Sequence, residues 1–179
     1  LPTENERKYI IDSKIESIIM EKSSAAYDIS QGYLIATRGI TVRIRKLVKR
    51  KNKKAEYYFT LKATTSGRAI ELEKKMDERD FDDLWNIALN RLEKVRYILS
   101  HEGNDWEIDF FKDYKENTYM AVAEIELPED QYEPYSIPGI IKDNLLYSVP
   151  LTDIRFSNKL LGDARYASQL LQEIRKELQ

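Results

Sequence analysis

The sequence predicts an α+β fold. An antiparallel sheet of about eight strands closes into a barrel with a charged interior, flanked by helices that include an amphipathic one at the C-terminus. Three observations predict it. First, strand-like stretches alternate apolar residues with charged ones: Arg43 and Arg45 with Val42 and Ile44, Glu71 and Glu73 with Ile70 and Leu72, Lys94 and Arg96 with Val95 and Tyr97. Glu107 and Asp109 alternate with Trp106, Ile108 and Phe110, and Glu124 and Glu126 with Ala123, Ile125 and Leu127. Second, each charged pair carries one sign, whereas an ordinary surface intersperses signs and like charges on one face destabilise it. A solvated outer face explains any one such strand; six or more are explained by closing the sheet so that the pairs lie inside. Third, the hydrophobic period turns helical in only a few places. The apolar set is bulky enough to be the packed side, since burying one such side chain contributes about 1.5–3 kcal/mol.

The first strand runs from Glu4 to Ile11, with Glu4, Glu6 and Lys8 on one face and Tyr9 and Ile11 on the other. Ser13 then caps a short helix carrying Ile15, Ile18, Ile19 and Met20. Ala25 to Ile35 reads as the second strand, with Tyr27, Ile29, Tyr33 and Ile35 on one face, and Arg38-Gly39 as the turn that follows. Ile40 to Val48 and Ala55 to Ala63 form a hairpin whose tip, Lys49 to Lys54, is a basic run read as a solvated turn. Ser66-Gly67-Arg68 turns the chain into Ala69 to Met76. From Asp77 to Asn90 the period is helical, with Phe81, Leu84, Trp85, Ala88 and Leu89 on one side, acids in the first turn, and Trp85 as a core anchor. Leu92 to Ser100, Asp105 to Tyr114 and Tyr119 to Leu127 are three further strands, with His101 as a surface turn residue. Beyond Leu127, prolines at 128, 134, 138 and 150 interrupt a poorly periodic region with a short helix around Gly139 to Leu145. Asp163 to Leu178 closes with the stripe Tyr166, Leu170, Leu171, Ile174 and Leu178.

With 179 residues the chain is read as one domain, 1–179, long enough to bury a core. A net charge of −2 and a hydrophobic fraction of 42% suit a soluble globular protein, and no apolar run approaches the roughly 20 residues a bilayer requires. No cationic, apolar leader opens the sequence. Cysteine is absent, which excludes disulfides and thiolate metal sites and suits a cytoplasmic protein.

A closed bore of about eight strands is nearly filled by side chains, with room for one small ligand. Its contents would be the acids Glu4, Glu6, Glu71, Glu73, Glu107, Asp109, Glu124 and Glu126 and the bases Lys8, Arg43, Arg45, Lys62, Lys94 and Arg96. Unpaired charge in such a space is costly, so it must be compensated. Clustered carboxylates are hard-oxygen ligands for Mg²⁺ or Mn²⁺. Arg and Lys from several strands make a cradle for phosphate oxygens. A polyphosphate with divalent metal satisfies both.

Glu4-x-Glu6-x-Lys8 resembles the ExExK signature of the CYTH superfamily, the triphosphate tunnel metalloenzymes. The likeness continues through Gln31-Gly32-Tyr33-Leu34, Arg43-Ile44-Arg45, Phe59-Thr60-Leu61-Lys62 and Glu71-Leu72-Glu73. It runs on through Lys94-Val95-Arg96-Tyr97, Trp106-Glu107-Ile108-Asp109 and Ala123-Glu124-Ile125-Glu126-Leu127 to Ser157-Asn158-Lys159. The chain departs from the family pattern mostly in its last third, where Pro150-Leu151-Thr152 lacks the usual acid and Phe156 replaces a common Tyr.

The resemblance implies a tunnel in which a triphosphate, inorganic tripolyphosphate or an organic one, is hydrolysed with Mg²⁺ or Mn²⁺. It implies metal ligands at Glu4, Glu6, Glu124 and Glu126, with Asp109 as a ligand or a support. Lys8, Arg43, Arg45, Lys62, Lys94 and Arg96 would hold phosphates, and Glu71, Glu73 and Glu107 would position those cations. Glu124, Glu126 and Lys8 would carry the chemistry, Glu126 or a neighbour orienting a metal-activated water. Two alternatives stay open: an adenylate cyclase of the same superfamily, making cyclic AMP from ATP, and a non-catalytic polyphosphate-binding module. The expected partner is a triphosphate or polyphosphate, with no specific nucleic acid and no membrane, in a monomer or homodimer.

Overall fold

The computed structural model describes residues 5–37, 39–65 and 68–178. Nine antiparallel strands form one sheet: β1 (Glu6–Ile11), β2 (Ala25–Thr37), β3 (Ile40–Lys49), β4 (Ala55–Thr65), β5 (Arg68–Met76), β6 (Asn90–His101), β7 (Asn104–Lys112), β8 (Thr118–Glu126) and β9 (Leu145–Val149). Their order is β5-β4-β3-β2-β6-β7-β8-β1-β9. The helices are α1 (Glu16–Lys22), α2 (Glu78–Ile87), α3 (Gly139–Asp143), α4 (Asn158–Leu161) and α5 (Ala164–Glu177). No helix is long and apolar enough to cross a membrane among the described residues.

The fold is therefore α+β and antiparallel, with nine strands among the described residues in place of about eight. Hydrogen-bonded closure of the ring is not seen: among the described residues β5 and β9 are edges with no ladder between them. The sheet nonetheless curls strongly, because Glu71 and Glu73 of β5 line the same cavity as Glu6 and Lys8 of β1.

Local sequence explains most boundaries. Asp77 starts α2 by accepting from the Asp80 amide at 2.8 Å, and Asp163 starts α5 by accepting from the amides of Arg165 and Tyr166 at 2.9 and 3.1 Å. On the convex face, Tyr9, Ile11, Ile15, Ile19, Tyr97, Trp106, Ile108 and Phe110 form a core under α1 and α3. Within α1, however, Ile18 and Met20 are exposed. The second core lies on the concave face: Ile10, Phe111, Met120 and Val122 share the inward parity of Lys8, Asp109 and Glu124, and pack with Leu161, Ala167, Leu170 and Ile174. At that end the inward residues turn apolar and α4 and α5 cover them. The apolar side chains thus do not all face outward, as a purely ionic bore would require.

Three expectations shift at element ends. α2 stops at Ile87, since Ala88 is extended and the Leu89 amide donates to the Tyr33 carbonyl at 2.9 Å, leaving Leu89 74% exposed. The helix expected through Leu145 ends at Asp143, and Leu145 opens β9, whose short half-buried pattern pairs only with β1. A bulge between Tyr33 and Ile35 inserts one residue, so Ile35 points outward at 46% exposure beside Val42 instead of continuing the Tyr33 face. Gly32, next to this bulge, lies against α2. An added Cβ there would meet the Ala88 Cβ at 3.1 Å and the Trp85 ring at 3.2 Å. Trp85 itself stacks on Phe81, half-buried, as an anchor of that helix.

Candidate functional site

The inward residues of eight strands surround a cavity of about 500 Å³. Seven cationic side chains, Lys8, Arg43, Arg45, Lys62, Lys94, Arg96 and Lys159, and five carboxylates, Glu6, Glu71, Glu73, Glu107 and Glu124, line it. It is floored by α4, which brings Ser157, Asn158 and Lys159. A second cavity of about 630 Å³ shares Glu6, Arg45, Arg96, Glu107 and Glu124 with the first and adds Glu56, Asp105 and Glu126 with Tyr27, Leu47 and Ile98. The two meet at those five shared residues, a basic chamber on one side and an acidic one on the other.

Strand register decides which charges meet. On β3, Arg43 lies opposite Thr60 of β4, which lies opposite Glu73 of β5. The Arg43 guanidinium donates to the Thr60 hydroxyl at 3.3 Å, Thr60 donates to Glu73 at 3.0 Å, and Arg45 reaches Glu73 at 3.4 Å. Lys62 pairs with Glu71 at 3.2 Å. The Nε–H groups of Arg43 and Arg45 are buried and meet no acceptor. These two N–H groups are enclosed in the wall, while the guanidinium groups that carry them line the cavity and are paired through their Nη2 atoms with Thr60 and Glu73.

The opposite wall is built around Asp109, which is fully buried. Arg96 donates to it through Nε at 2.7 Å and Nη2 at 2.8 Å, Lys94 donates to the same carboxylate, and Lys94 also donates to Asn158 at 3.0 Å. Arg96 pairs with Glu107 as well. Burial alone would raise the Asp109 pKa, but Arg96 and Lys94 outweigh it and hold the carboxyl well below the usual range. Both of its oxygens are committed to Lys94 and Arg96, and it is not part of the cavity lining.

At the waist, Lys8 lies between Glu6 at 2.9 Å and Glu124 at 3.5 Å. Burial and the neighbouring Glu124 charge push the Glu6 pKa up to about 7, with Lys8 opposing. Burial disfavours the charge of Lys8, yet Glu124 and Glu6 together raise its pKa. For Glu124 burial acts upward and Lys8 brings the net shift downward. Glu126 is exposed, lies in the acidic chamber and accepts from the Asn5 amide at 2.7 Å. Glu4 lies outside the described residues. Among the described residues no three carboxylates or imidazoles converge as a ready-made metal cluster. The Glu6 and Glu124 pair still fits a hard divalent ion in donor chemistry, because a cation there would relieve the repulsion that raises Glu6.

Of the charged residues expected in the bore, eleven line the basic chamber: Glu6, Lys8, Arg43, Arg45, Lys62, Glu71, Glu73, Lys94, Arg96, Glu107 and Glu124. Gln31, Tyr33 and Asn158 also belong to it. Two signals in the sequence could have found them: Gln31 and Tyr33 are two apart, opposite Arg45 and Arg43, and all three fall in stretches that carry the family resemblance. His101 ends β6 and meets the Ser136 hydroxyl at 2.7 Å, away from both chambers.

No family model matches the chain. It is 32% identical over 103 residues to an inorganic triphosphatase of Acetivibrio thermocellus, a match that covers 56% of this chain and 61% of that protein. The matched stretch thus spans less than two thirds of the relative's length. Among solved structures, the hypothetical protein NE1496 is 28% identical with a TM-score of 0.58, covering 89% of this chain and 97% of that one. A candidate adenylate cyclase from Bacillus halodurans shares the fold at 16% identity, TM-score 0.54, with 86% and 97% covered. PH1819 from Pyrococcus horikoshii shares it at 14% identity, TM-score 0.52, with 96% and 90% covered. The chain is thus similar in sequence to an inorganic triphosphatase over part of its length and similar in fold to these solved structures, a likeness in keeping with the CYTH resemblance of its ordered charged pairs.

Proposed function

We propose that the chain hydrolyses a triphosphate, with inorganic tripolyphosphate as its first substrate, in the bore of the curled sheet and with Mg²⁺ or Mn²⁺. The observation that carries this reading is the convergence of Lys8, Arg43, Arg45, Lys62, Lys94 and Arg96 on one chamber. Such a chamber binds several phosphate groups at once through short, directional, charge-assisted hydrogen bonds. Among the described residues the basic chamber has one aromatic ring, Tyr33, while Tyr27, Leu47 and Ile98 lie in the adjoining chamber, so a comparison of substrates decides between an inorganic chain and a nucleotide.

Glu6 and Glu124, with Glu4 and Glu126 as further candidates, would hold the divalent ion. When bound, that ion offsets charge on the transferring phosphoryl group and lowers the pKa of water. The chain's own residues do the rest. Arg43, Arg45 and Lys62 grip one end of the phosphate chain, backed by Glu71 and Glu73. Lys94 and Arg96 grip the other, fixed by Asp109 and Glu107. Lys8 stands between the carboxylates and the phosphates and keeps Glu124 ionised. Glu124 or Glu126 orients the attacking water and takes up its proton.

The test is phosphate release from tripolyphosphate, ATP and thiamine triphosphate in the presence of Mg²⁺ or Mn²⁺. Release from tripolyphosphate is expected. Cyclic AMP from ATP would replace this reading with a cyclase, and tight binding without turnover would replace it with a binding module.

A further inference from the structure

We infer that Asn5 and Arg7, the residues that separate the charged positions of Glu4-x-Glu6-x-Lys8, are positioning residues for Glu126. They clamp the segment that follows it, 128–132, against β1, and so fix the Glu126 carboxylate in the acidic chamber as a ligand for the divalent ion. The inference rests on the metal-dependent reading above.

Alternation gives β1 two faces. Glu6 and Lys8 point into the bore, so Asn5, Arg7 and Tyr9 point the other way. Arg7 and Tyr9 are buried there and Asn5 is half-buried. The chain just beyond β8 engages them. Asn5 Nδ2 donates to the carbonyls of Pro128 at 2.5 Å and Gln131 at 2.8 Å, and Arg7 Nε donates to the carbonyl of Tyr132 at 2.6 Å. Arg7 Nη1 donates to Asn5 Oδ1 at 2.8 Å, which fixes the end of the amide that faces the segment. The Arg7 guanidinium also lies over the Tyr132 ring, 5.9 Å from its centroid. Burial and the Glu133 carboxylate push the Tyr9 phenol up to about 12, so the third outward residue stays neutral beside the same segment.

Asn5 also reaches the site. The Leu127 amide donates to the Asn5 carbonyl at 2.9 Å, and in a regular antiparallel pair the Asn5 amide would donate back to the Leu127 carbonyl. It donates instead to Glu126 Oε1 at 2.7 Å. An exposed glutamate otherwise samples several rotamers; this bond gives the carboxylate one direction. Neither Asn5 nor Arg7 lines a chamber, so both act through the carboxylate that the clamp orients.

The experiment measures Mn²⁺ binding by titration calorimetry without substrate, and kcat and KM for tripolyphosphate, for wild type, Asn5→Ala, Glu126→Gln and the double variant. Groups that orient a metal ligand are worth about 10- to 100-fold in affinity, so Asn5→Ala should weaken Mn²⁺ binding about tenfold. It should lower kcat and leave KM nearly unchanged, because the cations that grip phosphate stand on other strands. With Glu126 already replaced, the same substitution should change Mn²⁺ binding by less than about twofold. Wild-type Mn²⁺ affinity in a well-folded Asn5→Ala or in Glu126→Gln, or an equal loss in both backgrounds, would overturn the inference. Should Asn5→Ala fail to fold, Arg7→Met is measured in its place, and unchanged Mn²⁺ affinity there overturns the inference instead. A wild-type protein that binds no Mn²⁺ and releases no phosphate refutes the functional reading itself, a result seen before any variant is made.

Discussion

Glu6→Gln separates the cost of the site from its use. The Glu6 carboxyl is raised from 4.5 to about 7, by burial first and by Glu124 second, with the attraction of Lys8 already included. Below pH 4.5 the carboxyl is protonated whether the chain is folded or not. Between 4.5 and about 7 the unfolded chain gives up the proton while the folded chain keeps it, so the folded state binds more protons and wild-type stability falls as pH rises. Above 7 the loss is complete and constant. The full interval corresponds to an upper bound of roughly 3 kcal/mol. The side chain is 32% exposed, and solvent screening reduces that to about 1–2 kcal/mol. Urea unfolding of metal-free protein from pH 4.5 to 8 should therefore show Glu6→Gln more stable than wild type at pH 8 by that amount, or by about 2–8 °C in melting temperature. The gap should close toward pH 4.5, and the variant should lose metal-dependent phosphate release. A Glu6→Gln protein less stable than wild type at pH 8, or a gap unchanged across the range, would refute the reasoning.

Other substitutions test the walls. Asp109→Asn leaves Lys94 and Arg96 buried without their carboxylate and should cost about 3–5 kcal/mol in denaturant unfolding. Arg43→Ala should weaken tripolyphosphate binding about 10- to 100-fold by calorimetry while the Lys62–Glu71 pair persists. Gly32→Val, whose branches would press on Trp85 and Ala88, should cost about 1–3 kcal/mol and loosen α2, read by near-ultraviolet circular dichroism. Trp106→Phe should cost less than a buried Trp usually does, because the indole N–H it removes has no partner; thermal melting reads it.

How much of this was legible in the sequence follows the period of the strands. Wherever charged and apolar residues alternate without interruption, as at 42–45 and 106–110, parity alone assigns the faces, and the structure keeps those assignments. Parity fails at the bulge after Tyr33, because one inserted residue reverses every later side chain and nothing in Leu34-Ile35 marks the insertion. β9 was not legible because a five-residue strand paired on one side carries no clear alternation. The sequence reading puts Tyr33 on a face with Tyr27 and Ile29 and assigns Gln31 to none; that both line the chamber as a hydrogen-bonded pair depends on register and rotamers that a sequence does not carry. Asp109 reads like Glu107 in the sequence. Only the cross-strand register, which sets Asp109 opposite Arg96, separates a supporting carboxylate from one that faces the chamber.

That register also revises the reason the charges need a ligand. Like charges run along each strand, and several neighbouring strands oppose them: the arginines of β3 look across Thr60 to Glu73 on β5, and Arg96 on β6 meets Asp109 on β7, whereas Glu6 lies opposite Glu126 and Glu107 opposite Glu124. Part of the ionic content is thus neutralised by the protein itself, and a bore full of charge is not by itself a vacancy to be filled. What the ladders leave uncompensated is narrower. On one wall it is two buried guanidinium N–H groups without acceptors, and at the waist a carboxyl held at about 7 by burial and a neighbour of its own sign. The arginines that carry those N–H groups and the carboxyl of Glu6 line one chamber, so a ligand that brings phosphate oxygens and a divalent ion into one place meets the cations and the raised carboxyl together.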